Sequence, residues 1–346
     1  MAGRFLFTRF IHPNPGILVA FITFMMFGAS CSREGYNDRQ VFRYNQPEGI
    51  STLDPAFTRS QPMIWSANQL YNTLVDIDDS LHMVPSLAKR WEISADGLVY
   101  TFTLRADVFF HDNPAFPKGK GRIMKADDVV YSLSRIMDKA VASPGAWIFN
   151  GRVDTLNPFL ALNDSTFRLK LLKPFPPIIG ILSMKYCSIV PKEVVKFYGK
   201  DFRRNPCGTG PFLMKSWEEG QALILHRNPK YFERDSSGKP LPYLDAVKVS
   251  FLDNKATEFM EFQQGRLDFV NDIEASFKDE VLTKNGDLKK EWAGKIVLNK
   301  HPYLNTEYLG ILYDTSSAML QGSPLRNKKI RQAMNHAIDR KKMMMY

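Results

Sequence analysis

Residues 205–232 read NPCGTGPFLMKSWEEGQALILHRNPKYF, a pattern that specifies a β-hairpin entered through a tight loop. Apolar and polar residues alternate from Phe212 to Trp217, Glu219 and Gly220 make a turn, and a second apolar run covers Ala222 to Leu225. Period-two alternation interrupted by a glycine turn is a hairpin signal. Gly208 and Gly210 permit a close backbone approach, and Pro211 fixes φ where no ladder N–H is needed, so the loop sets the direction of the strand that follows. Asn228 precedes Pro229, which cannot donate to a ladder, and the second strand ends there. The Gly-Thr-Gly loop has neither the third glycine of a dinucleotide fingerprint nor the Gly-Lys-Ser/Thr of a phosphate loop, so taken alone it is a turn.

The 346 residues around this hairpin suffice for a large core and about two domains. The formal charge is +10, with Arg4 and Arg9 in a leader free of acidic residues. Lysines and arginines are spread among 36 acidic residues, which points to a solvated surface rather than a nucleic-acid partner. An apolar run from Ile17 to Phe27 ends at the small residues Gly28, Ala29 and Ser30, just before Cys31. Spanning a bilayer takes about 20 apolar residues, so residues 1–30 read as a signal peptide and the protein as exported. Cys31 behind small residues resembles a bacterial lipobox, although Gly28 stands where leucine is usual. Lipidation at Cys31, with residues 31–40 as a polar tether, is set against a soluble protein cleaved nearby. Export favours an oxidising compartment, in which Cys187 and Cys207 form either a disulfide or two buried thiols.

Taken in order, Val41 to Asn45 reads as the first strand. Met63, Ile64, Ala67, Leu70, Tyr71 and Leu74 recur at helical spacing and predict a helix over 62–75; Trp65 and Asn68 fall off its apolar stripe and face either a cleft or solvent. Alternation from Val99 to Arg105, after a turn at Asp96 and Gly97, predicts a second hairpin. His111 beside Asp112 invites a catalytic or metal reading, yet no second histidine or acid follows at ligand spacing, and a polar strand end accounts for both. Asp127 and Asp128 favour a helix start by ~0.3–1 kcal/mol each, with Val129, Leu133, Ile136 and Met137 as its apolar face. Further strands are predicted over 165–172, 246–251, 295–299 and 307–313. Helices are predicted from Pro191, as first helical residue, to Tyr198, over 255–264, and from Arg326 to Arg340 with Ile330, Met334, Ala337 and Ile338 on one face.

Several phrases together carry a family resemblance: TLDPA at 52–56, LAKRWEISADGLVYTFTLRADVFFHD at 87–112, GTGPF through RNPKYF, FQQGRLDFV at 262–270 and LRNKKIRQAMNHAIDR at 325–340. From Val41 onward the chain resembles the family 5 extracellular solute-binding proteins, the peptide- and nickel-binding components of ABC importers. The resemblance implies an α/β fold of the type II periplasmic-binding-protein kind (cluster C), two-lobed with an extra small domain. Residues 41–52 and 185–290 would form lobe I, 53–184 the small domain, and 291–346 the start of lobe III, a second large lobe left incomplete because family members extend further. It implies reversible capture of a solute rather than catalysis, with a peptide held largely through its backbone. An ABC permease and ATPase are the implied partners, the membrane is reached through the lipid anchor, and a periplasmic monomer is expected; no cofactor, metal or nucleic acid is.

Position near strand ends and loose analogy with the family nominate Trp65, Asp272, Ile273, Glu274 and Tyr308 as ligand residues. Asn271 to Glu274 would lie at a carboxyl strand end, where open α/β sheets place ligands, or form an acid-rich surface loop. The acid that anchors the peptide amine in the family would lie beyond Tyr346. A secreted hydrolase is the alternative from another class, against which stand the absence of Gly-x-Ser-x-Gly and His-Glu-x-x-His and the scatter of the six histidines. A third reading is a surface lipoprotein that uses the same fold for sensing or adhesion. Peptides are the first expectation for the ligand, with a nickel chelate or a sugar as the other ligands of an importer component.

Overall fold

The structure, a computed structural model, describes residues 40–300 and 308–343, apart from 155 and 315. The leader, Cys31 and the tether lie outside the described residues. The chain divides into two compact units after Ala275. The first unit contains, in chain order, β1 (Val41–Asn45), α1 (Gln61–Leu70), β2 (Val75–Ile77), β3 (Met83–Pro85), β4 (Ala88–Ile93) and β5 (Val99–Leu104). It continues with α2 (Ala126–Met137), β6 (Phe159–Asn163), β7 (Thr166–Lys170), α3 (Ile178–Ile181), α4 (Lys192–Tyr198), β8 (Phe212–Glu218), β9 (Ala222–Arg227), β10 (Ala246–Ser250) and α5 (Lys255–Gln263).

The hairpin expected from residues 205–232 is β8–β9, paired from Phe212 opposite Arg227 to Glu218 opposite Ala222 with a register shift between Met214 and Ser216. Its turn residue Gly220 has φ +73°, a conformation open to glycine. β10 joins β9 antiparallel, and β1 joins β10 parallel, giving the order β1-β10-β9-β8. Leu223, Leu225, Val247 and Val249 are buried along these strands. The second expected hairpin is β4–β5, part of an antiparallel sheet of order β4-β5-β7-β6. Helix α2 packs over β6 and β7 with Val129, Leu133 and Ile136 inward, as its periodicity requires. Buried side chains of both sheets belong to one continuous apolar cluster.

Helix α1 ends at Leu70, five residues short of the predicted end. The reason is the glycine loop. The N–H of Gly210 donates to the carbonyl of Leu70 at 3.0 Å, and a Cβ at Gly208 or Gly210 would lie 2.1 Å from the Leu70 oxygen or 2.4 Å from the Leu70 carbonyl carbon. Tyr71 turns to φ −135°, ψ 153°, and the chain leaves in extended form toward β2. Pro191 sits at the cap of α4 rather than at its first helical position.

The second unit opens within α6 (Ala275–Val281) and ends with α7 (Lys328–His336) and α8 (Arg340–Met343). Two expectations fail here. The strands predicted over 295–299 and 307–313 do not form among the described residues, where Val297, Tyr308 and Leu309 are more than four-fifths exposed. A strand needs a partner for its backbone groups, and among the described residues no ladder reaches these segments. The helix expected to run through Arg340 breaks after His336. Ile330, Met334 and Ile338 stay partly exposed, so the tertiary burial that normally sustains an amphipathic helix is missing.

Candidate functional site

A groove of about 1030 Å³ opens in the first unit. One wall is the segment that leaves β1 and enters α1, through Ser51, Thr52, Asp54, Phe57, Arg59 and Met63. The facing wall is the polar side of α2, with Tyr131, Ser134, Arg135 and Asp138, continued by the loop around Val141 and Pro144. Val195, Gly199, Lys200 and Arg203 close one end.

Asp54 holds the two walls together. Its carboxylate accepts from the Ala56 N–H at 3.0 Å, capping the single turn Pro55–Phe57, and from both terminal nitrogens of Arg135 at 2.8 and 2.5 Å. Both side chains are nearly sealed from solvent, 6% and 11% exposed. Burial alone would lower the Arg135 guanidinium; the hydrogen bonds and charge of Asp54 outweigh it, and the pKa rises. The Tyr71 hydroxyl donates to the Leu53 carbonyl at 2.9 Å, fixing the start of the same segment from below. Tyr131 is half-buried, and burial raises its phenol above the ordinary value, so at neutral pH it lines the groove as an O–H donor. The groove thus combines apolar faces, hydroxyls and fixed charges, the composition of a small-ligand site.

The sequence-nominated residues are distributed as follows. Trp65, on α1, belongs to an aromatic cluster at the edge of the first sheet, 6.0 Å from Tyr44 and 6.1 Å from Phe269 between ring centres, with Phe42 completing it. Phe269 makes a bridge to Tyr44, and Asp272, Ile273 and Glu274 follow a few residues on, Asp272 exposed and its two neighbours half-buried. Trp65 thus packs at that sheet edge and Asp272–Glu274 follow Phe269 in the chain; none of the four is among the residues that line the groove. Tyr308, in the second unit, is 82% exposed.

His111 and Asp112 are structural. The buried His111 ring meets the Gly210 carbonyl through Nε2 at 3.0 Å and accepts from the Gly208 N–H through Nδ1 at 3.4 Å, so Nε2 carries the proton. Its backbone N–H donates to the Gly208 carbonyl at 2.8 Å. Burial pushes the imidazole down to about 4. Burial pushes Asp112 upward, but hydrogen bonds from Lys230, Gly121 and Lys120 outweigh it and hold the carboxyl below its usual range. Around the same loop, Thr209 donates to Asn72 at 3.0 Å and Asn228 donates to the Gly210 carbonyl at 2.9 Å. Of the two alternatives left for Cys187 and Cys207, the structure has the buried thiols. Cys187 and Cys207 are separate buried thiols, and their sulfurs approach different carbonyls, Ile181 at 3.8 Å and His111 at 3.4 Å. Among the described residues no group of three or more His, Cys, Asp or Glu is arranged to hold a metal ion.

Sequence reasoning missed Arg59, Tyr131 and Arg135. Its one available signal was the TLDPA phrase, whose Asp54 shapes a wall of the groove.

These features define an α/β fold of the type II periplasmic-binding-protein kind with a groove in its first unit. The family model for bacterial extracellular solute-binding proteins, family 5, matches residues 82–345, and the chain belongs to that family. It is 30% identical over 290 residues to heme-binding protein A of Haemophilus influenzae, covering 80% of this chain and 48% of that protein. It is 27% identical over 310 residues to the dipeptide-binding protein of Escherichia coli, covering 85% and 52%. Among solved structures, the ABC transporter-associated periplasmic binding protein DppA of Helicobacter pylori, in complex with the peptide STSA, superposes with a TM-score of 0.62 at 29% identity, over 70% of this chain and 49% of that one. The chain spans about half the length of the curated relatives it matches.

Proposed function

We propose that this chain is the solute-binding component of an ABC importer and captures peptides for a membrane permease, held at the cell envelope by a lipid on Cys31. Family membership supports the class, and the relatives named for a dipeptide and solved with STSA support the ligand. The observation that carries the reading is the groove between the Ser51–Met63 segment and α2, braced by the Asp54–Arg135 pair. Buried bracing of this kind keeps a cleft open before the ligand arrives, which lowers the ordering cost of binding. In this reading residues 41–52 with 185–290 make lobe I and residues 53–184 the small domain, with 291–346 starting a further lobe. Trp65, Asp272, Ile273, Glu274 and Tyr308 remain proposed contacts, and replacing Asp272 by alanine should weaken binding more than about tenfold, ~1.4 kcal/mol. Unchanged affinity in that variant returns Asp272 to the surface.

The reading is tested by thermal unfolding of the purified full-length chain with a random tripeptide mixture, a nickel chelate, a disaccharide and hemin. Hemin is included because of the heme-binding relative. Ligand at 100 times its Kd stabilises by about 2.7 kcal/mol, a readily measured shift. A shift with peptides supports the proposal; a shift with another ligand alone sinks the peptide assignment. Hydrolysis of a fluorogenic peptide by the pure protein, lost with one point substitution, would revive the hydrolase alternative.

A further inference from the structure

The charges along the groove are unevenly satisfied. Asp54 and Arg135 neutralise one another, and Arg203 pairs with Glu219 at 2.9 Å. Asp138 lines the groove and accepts from the Ala140 N–H at 2.8 Å. Arg59 and Lys200 also line it, and among the described residues neither has a carboxylate within ion-pair distance. Two unpaired cations therefore face the cavity against one unpaired acid, beside the apolar side chains of Phe57, Met63, Val141 and Val195.

We infer that the groove selects a net-anionic ligand, a peptide that presents a carboxylate to Arg59 and Lys200 and an apolar portion to the wall beside them. The inference rests on the reading that the groove takes peptides and adds a charge preference to it. A carboxylate entering here gains two cations that no protein group already occupies, whereas a lysine side chain in the same place meets like charges. Exposed ion pairs are weak singly, so the preference comes from two cations acting on a charge that the groove walls partly desolvate.

Calorimetric titration of the full-length chain with Ala-Glu-Ala, Ala-Gln-Ala and Ala-Lys-Ala tests this. Ala-Glu-Ala should bind at least fivefold more tightly than Ala-Lys-Ala, with Ala-Gln-Ala between them. In the double variant Arg59→Gln, Lys200→Gln the three should come within twofold of one another, and raising the salt should shrink the wild-type difference. Amidating the C terminus of all three peptides separates the two sources of carboxylate: a glutamate preference that persists rests on the side chain, and an equal loss of affinity from all three shows that the chain end also meets the cations. Equal binding of the glutamate and lysine peptides, or a preference that survives the double variant, overturns the charge inference and leaves the peptide reading standing. Binding of none of the peptides overturns both.

Discussion

At the residue scale the structure turns on His111 and the two glycines it faces. Neutral His111 donates through Nε2 to Gly210 and accepts through Nδ1 from Gly208, so a second proton would set two donors against each other. Its pKa falls from 6.5 to about 4 on burial, and between those values the unfolded chain binds more protons than the folded one. The contribution is complete above about pH 6.5 and is lost as pH falls through about 4, roughly 3 kcal/mol in all. Urea unfolding of wild type and His111→Gln at pH 7 and pH 4.5 should show the steeper loss in wild type; parallel losses would contradict the account. Gly210→Ala should cost more than about 3 kcal/mol, because its Cβ would meet backbone 2.4 Å away. Gly220→Ala, with open space around it, should cost about 1 kcal/mol for its positive φ alone. Denatured, unreduced protein should yield two titratable thiols besides Cys31, from Cys187 and Cys207. The glycine pair was legible in the sequence as a close backbone approach. What it approaches, the end of a helix some 140 residues earlier, was not, because that contact is made only in the folded chain.

At the element scale, local patterns carried the hairpins β4–β5 and β8–β9 and the helix α2, where periodicity and turn glycines agree. The parallel pairing of β1 with β10 lies beyond such patterns, since it joins strands about 200 residues apart. The groove stayed hidden for a related reason. Tyr131, Ser134 and Arg135 occupy the polar side of an amphipathic helix, which reads as solvated until a second wall is placed opposite. The Asp54–Arg135 pair that joins those walls gives an element-level prediction. Asp54→Ala leaves Arg135 buried without its partner and removes a turn cap, and should destabilise by about 3–5 kcal/mol. Arg203→Ala, which loses an exposed pair with Glu219, should cost less than about 1 kcal/mol. Chemical unfolding of the two variants side by side would distinguish a brace from a surface decoration; equal small losses would mean the pair does not hold the walls.

At the scale of the whole molecule, the first unit follows the sequence reading closely and the second does not. Among the described residues its expected strands do not form and its last helix breaks, because burial of an apolar face, and not local propensity, is what stabilises such segments. The central claim is that the groove of the first unit is where solute is held. Isothermal titration of the full-length chain with Ala-Gln-Ala, in wild type and in Tyr131→Ala, tests it most directly. The account predicts saturable binding that weakens at least tenfold in the variant, with the unliganded variant still unfolding cooperatively. Wild-type binding that Tyr131→Ala leaves intact, or no binding of the peptide at all, would contradict it.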